Sequence, residues 1–134
     1  MKILGLKKVS KSDFEKIKDT IPAISRSWWL NSKSDEENDL MDYVDYGNST
    51  NHNGIKPESN KLSVRPFLSI DAGNYIGKSI KFANKWWIIN EESDTAICVG
   101  YVGECTGDKL DEYLTKWFDE NKESPISDKY GELS

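Results

Sequence analysis

The spacing of apolar positions changes several times along this chain, and each change marks an element. Residues 2–9 carry Ile3, Leu4, Leu6 and Val9 in a short run that predicts a strand. Ser12-Asp13-Phe14-Glu15 then has the S-x-x-E form of a capping box. Phe14, Ile17 and Ile21 follow at helical spacing, and Pro22 ends the helix because it has no N–H for the next hydrogen bond. A helix of about three turns with a narrow buried side is expected.

The bulky cluster Trp28-Trp29-Leu30 lies within Ser25–Ser32, between small polar residues, and predicts a buried strand central to the core. Tyr43 to Tyr46 predicts a short strand, and residues 47–60, rich in Asn, Ser, Gly and Pro, a loop. Leu62 to Ile70 reads as one strand with an irregularity at Pro66. Three apolar runs, 79–82, 86–89 and 96–102, predict an antiparallel meander. Finally, Thr106 is placed to cap a helix in which Leu110, Tyr113, Leu114, Trp117 and Phe118 share one face. The fold class is therefore α+β: a mixed or antiparallel sheet with an N-terminal helix and a C-terminal amphipathic helix packed on it. One globular domain over residues 1–124 and a polar tail over 125–134, frayed or extended, are expected.

Composition agrees with one domain. At 134 residues the chain is long enough for a single core, and five Trp, six Tyr and four Phe can fill it with few side chains. No apolar run approaches the ~18–20 residues that span a bilayer, and the N-terminus lacks a signal-peptide core. A cytoplasmic location is expected, the host cytoplasm if the chain is phage-encoded. Cys98 and Cys105 fit neither a disulfide framework nor a zinc site and read as reduced thiols.

Charge narrows the function classes. The net charge is −5, and Asp35, Glu36, Glu37, Asp39, Asp42 and Asp45 fall close together in one stretch. Affinity for nucleic acid comes largely from Lys and Arg displacing counterions, so direct binding to DNA or RNA is not expected. Such acids suit a basic groove on a protein partner, where they would imitate a phosphate backbone. They lack the ligand order of a calcium loop, and a solvated acidic loop is the simpler reading than a metal site.

Catalytic residues are scarce. His52, the single histidine, sits in the 47–60 loop, while Cys98 lies in an apolar run where a thiol behaves as a small hydrophobe. No catalytic residues, no metal and no cofactor are expected. The Trp pairs raise a different possibility. In a strand, Trp28 and Trp29 point to opposite faces, as do Trp86 and Trp87, so one of each pair is either covered by loops or lines a surface groove. Arg65, before a proline in an apolar segment, reads as a structural ion-pair partner of an acid or as a ligand-contacting guanidinium.

Trp28-Trp29-Leu30-Asn31-Ser32, then Tyr43-Val44 with Gly47, then Val64-Arg65-Pro66-Phe67-Leu68 resembles a family of bacterial and phage domains of uncharacterised function. Its signature is W-W-L-R-S-P, a variable middle ending in a glycine turn, then V-R-P-A-L, and it is similar in pattern to C-type-lectin-like and formylglycine-generating-enzyme-like folds. The resemblance covers about residues 24–70. This chain departs at Asn31, where the family has Arg, and at Lys33, where it has Pro. The resemblance implies a mixed sheet with irregular loops, a phage or prophage origin and similarity to small acidic inhibitors of host defence such as anti-CRISPR proteins.

The expected function is a non-enzymatic inhibitor or adaptor that binds a host protein, such as a nucleic-acid-handling effector of the CRISPR nuclease kind. Its contact surface is expected at Asp35, Glu36, Glu37, Asp39, Asp42 and Asp45 beside Trp28 and Trp29, with Arg65. The alternative is a small-ligand or glycan-binding module of lectin-like type, with a Trp and Arg65 lining a pocket. Neither reading requires contact with a membrane.

Overall fold

The computed structural model describes residues 1–34, 39–90 and 94–128. Within them the chain runs β1 (Lys2–Lys7), α1 (Lys11–Ile17), β2 (Trp28–Lys33), β3 (Met41–Val44), β4 (Lys61–Val64), β5 (Phe67–Asp71), β6 (Ser79–Phe82), β7 (Lys85–Ile89), β8 (Thr95–Cys98), β9 (Gly103–Thr106), α2 (Leu110–Asn121) and β10 (Ser127–Asp128). Two sheets result, one ordered β1-β5-β8-β7-β6-β10 and the other β3-β2-β4-β9. All neighbours are antiparallel except β2 and β4, which run parallel with Trp28 opposite Ser63. The α+β class holds, with two sheets where one was expected.

The segment 62–70 explains the division. It is two strands, because Arg65-Pro66 carries the chain from β4 in the four-stranded sheet to β5 in the six-stranded one. The segment 95–106 makes the same crossing beside it: β8 pairs with β5 and β9 with β4. Pro66 has no N–H to give to a ladder, so the bend falls where pairing is interrupted. β9 itself was not expected, since Gly103-Glu104-Cys105-Thr106 has little apolar content. The meander β6-β7-β8 agrees with the sequence reading, and its first turn places Ala83 and Asn84 at positive φ.

Three apolar clusters fill the layers. Leu68, Ile70, Ile80, Phe82, Trp87 and Ile89 form one face of the six-stranded sheet, against which Trp117 and Phe118 of α2 pack. Phe14 of α1, Trp28, Leu30, Val44, Phe67 and Ile97 form a second cluster joining both sheets. Trp29, Val64, Cys105 and Leu110 form a third, with Tyr113 and Leu114 against it. The apolar face of α2 is thus shared: its first turns cover the four-stranded sheet and its last turns the six-stranded one.

Local corrections follow from hydrogen bonding. The capping box is Ser10 with Asp13 rather than Ser12 with Glu15: Asp13 N donates to Ser10 Oγ at 3.1 Å and Ser10 N to Asp13 Oδ2 at 3.3 Å. Ser10 has the extended backbone a cap requires, and Ser12 is already helical. After Ile17 the helix tightens into a 3-10 turn over Lys18–Thr20. Thr106 makes no side-chain cap, and a 3-10 turn over Gly107–Lys109 leads into α2. The start of the polar tail is structured: Ile126 packs on the first cluster, and Ser127 and Asp128 pair with Lys81 and Ile80. No helix among the described residues is long and apolar enough to cross a membrane.

Candidate functional site

Those of the singled-out residues that are described do not come together as one surface. Trp28 and Trp29 do point to opposite faces of β2, but both are buried, at 1% and 3% exposure. β2 lies between the second and third clusters, so each indole has a core to enter. Trp28 meets Phe14 edge-on at 5.2 Å and stacks on Phe67 at 6.0 Å, while Trp29 Nε1 donates to the Cys105 carbonyl at 2.9 Å. Neither is available as a contact platform. The second pair divides as expected: Trp87 is buried and Trp86 half-buried, with Lys81 Nζ 5.9 Å from its ring.

Arg65 is buried as well, at 4% exposure, and its hydrogen-bond partners among the described residues are carbonyls. Nε donates to the Cys98 carbonyl at 2.7 Å, and Nη2 donates to the carbonyls of Pro22 at 2.7 Å and Val99 at 3.1 Å. The guanidinium lies 5.2 Å from the Trp28 ring. Burial lowers its pKa to about 10, and it remains charged at neutral pH. Its place is the bend between the sheets, where main-chain carbonyls leave their ladders and need donors. Arg65 clamps the fold at this bend, and among the described residues its guanidinium donates to main-chain carbonyls and not to an acid.

The acidic stretch divides three ways. Asp42 is buried on β3 and accepts from Ser32 Oγ at 2.5 Å. Asp45 accepts from Tyr46 N at 2.8 Å and Ser27 Oγ at 2.9 Å, and these bonds hold its carboxyl below the ordinary value. Both are occupied in holding the fold. Asp39 is exposed. Asp35, Glu36 and Glu37 lie outside the described residues.

Asp39 belongs to a groove that the sequence did not reveal. A cavity of about 460 Å³ opens between the ends of β2 and β3, the turn at Pro57–Ser59 and the approach to α2. Leu40, Met41, Pro57 and Gly107 give it an apolar wall, and Asp39, Glu58, Asp108 and Asp111 set carboxylates around it, against one cation, Lys33. Asp111 is engaged by Asn31 Nδ2 at 2.8 Å and Lys8 Nζ at 3.5 Å. Asp39, Glu58 and Asp108 form no ion pair among the described residues. The acidic surface continues along α2, where Asp111, Glu112, Asp119 and Glu120 flank Lys116 in a shallow depression.

Glu58, Asp108 and Asp111 carried no signal of a site in the sequence. Glu58 sits in a polar loop, and acids at 108 and 111 read as ordinary helix-start residues that favour the helix dipole. Only the fold brings them to Asp39, some seventy positions away in the case of Asp111.

The thiols are poorly placed for nucleophilic chemistry. Burial raises the pKa of Cys98, and burial with nearby Asp108 pushes Cys105 up to about 11. His52 stacks on Tyr43 with ring centroids 4.0 Å apart, and Cys98 belongs to the first core cluster. Among the described residues, no group of three or more His, Cys, Asp or Glu side chains is placed to hold a metal ion. No protein-family model, curated protein or solved structure matches the chain. The W-W-L-R-S-P resemblance therefore rests on the residues that carry it.

Proposed function

We propose that this chain is a non-enzymatic binding protein whose acidic groove receives a basic segment of a partner protein. The observation that carries this reading is the set Asp39, Glu58 and Asp108, three carboxylates without ion pairs among the described residues beside Leu40, Met41 and Pro57. Lys and Arg combine an aliphatic stem with a charged head, so an apolar wall with an acidic rim complements both parts. The surface along α2 extends the same field and would speed encounter with a positively charged partner.

Proteins that handle nucleic acid present such Lys and Arg in their phosphate-binding channels. The finer reading is a phage-encoded inhibitor that occupies the basic channel of a host defence effector such as a CRISPR nuclease, and its support is the sequence resemblance. No cofactor enters this reading. The alternative, a small-ligand or glycan-binding module with a Trp and Arg65 lining a pocket, has less support, because Arg65 is buried and donates to main-chain carbonyls.

Fluorescence polarisation with an arginine-rich peptide tests the reading. Asp39→Asn, Glu58→Gln and Asp108→Asn combined should weaken binding about tenfold or more, equivalent to about 1.4 kcal/mol. Glu112→Gln, Asp119→Asn and Glu120→Gln combined, the same change in charge placed along α2, should weaken it less. Equal losses in the two variants would show attraction to net charge alone and contradict a groove.

A further inference from the structure

We propose that Asn53 is a self-modification site: Gly54 N attacks the Asn53 side-chain amide, His52 assists through the peptide between them, and the resulting isoaspartate loosens the groove wall at Met41. Asn53-Gly54 is the one Asn-Gly pair in the chain. Cyclisation at an asparagine needs the next backbone nitrogen to reach the side-chain carbonyl carbon, and glycine, without a Cβ, hinders that approach least. The fold requires glycine here as well, because a Cβ at Gly54 would collide with the Met41 carbonyl. The glycine demanded by this close approach to β3 is therefore also the one that opens Asn53 to cyclisation.

The surroundings favour the reaction. Asn53 is exposed, and among the described residues no hydrogen bond holds its side chain or Gly54 N. The side-chain amides of Asn48, Asn60 and Asn121, by contrast, donate to the carbonyls of Ile21, Lys56 and Trp117. His52 Nδ1 lies 3.1 Å from the Asn53 carbonyl, which only accepts, so Nδ1 carries the proton. Stacking on Tyr43 of β3 holds the ring in this place. A donor on that carbonyl polarises the 53–54 peptide and makes the Gly54 N–H more acidic.

In the first step Gly54 N bonds to Asn53 Cγ, and its proton passes through water to Nδ2, which departs as ammonia and leaves a succinimide. Water then adds to one of the two ring carbonyls and breaks that carbon's bond to Gly54 N. Attack at Cγ gives aspartate. Attack at the main-chain carbonyl, where His52 Nδ1 faces the developing oxyanion, gives isoaspartate, which lengthens the main chain by one carbon. That carbon enters just ahead of Ile55, whose two hydrogen bonds with Met41, at 2.8 and 3.1 Å, tie this segment to the groove wall. Any loss of partner binding from the loosened wall rests on the groove reading; the chemistry does not.

The test incubates the full chain in mildly alkaline buffer, with and without urea, and follows each asparagine by peptide mapping, with isoaspartate read by isoaspartyl methyltransferase. Asn53 should convert before any other asparagine and give mainly isoaspartate, while Asn53→Gln, which must close a larger ring, should stay intact. His52→Phe keeps a ring to stack on Tyr43 and removes the donor. In buffer it should convert about threefold or more slowly, the worth of one neutral hydrogen bond, and with a smaller share of isoaspartate; in urea it should match the parent. The amides of Met41 and Ile55 should exchange with solvent faster in the converted chain. Earlier conversion at another asparagine, equal rates for parent and His52→Phe in buffer, or unchanged protection of Met41 and Ile55 would each overturn the proposal. None of these readouts uses the arginine-rich peptide, so a chain that never binds that peptide counts against the groove and not against Asn53.

Discussion

Trp29 lies directly beneath Gly107: a Cβ added at Gly107 would stand 3.0 Å from Cη2 of the indole. The same atom would meet Pro57 Cβ at 2.7 Å and Met41 Sδ at 2.8 Å, so the groove wall is built on a close approach that admits no side chain. The indole expected at a contact surface instead supports the groove wall from below. Gly107→Ala should therefore destabilise the fold by about 1–3 kcal/mol through overpacking. Urea unfolding monitored by Trp fluorescence would measure it, and an unchanged midpoint would show that the wall is looser than these distances require.

Arg65 supplies donors to three carbonyls at the bend between the sheets. Arg65→Met retains an aliphatic stem near Trp28 and removes every donor. Loss of those bonds is offset in part by release of a buried charge, and the expected net loss is about 1–3 kcal/mol. The variant should bind the arginine-rich peptide normally under conditions where it is folded, because Arg65 does not line the groove. Loss of peptide binding by a fully folded variant would return Arg65 to the site.

Asp45 links stability to acid pH. Its carboxyl titrates below the ordinary value of 3.8 in the folded chain because Tyr46 N and Ser27 Oγ donate to the charged form. The stabilisation is fully present above the unfolded value and is lost as pH falls through the lower folded one. Asp45→Asn should be less stable than the parent at neutral pH, and the gap should close as the solution is acidified below pH 3.8. Parallel thermal melts across that range would measure this, and a gap independent of pH would remove the carboxylate from the account.

The parts of the fold that depend on local pattern were legible in the sequence. The five-residue apolar face of α2 and the β6-β7-β8 meander follow from spacing alone, since each element buries a stripe that its own sequence marks. What spacing does not encode is which layer receives a side chain. Trp28 and Trp29 both find cores because β2 is covered on both faces, and that follows from the chain changing sheets at Arg65-Pro66, a tertiary event. The site was less legible still. Acidic neighbours mark Asp39 in the sequence, but Asp42 and Asp45 are intramolecular hydrogen-bond acceptors, and Glu58 and Asp108 arrive from distant elements.

Mapping the contact by NMR tests the central claim most directly. Titration of the isotope-labelled chain with an arginine-rich peptide should shift the backbone amides of Asp39–Met41, Glu58 and Gly107–Asp111 in a saturable, salt-sensitive manner, leaving those of β6 and β7 unmoved. Shifts concentrated elsewhere, or no saturable shifts at low salt, would contradict a basic-segment groove.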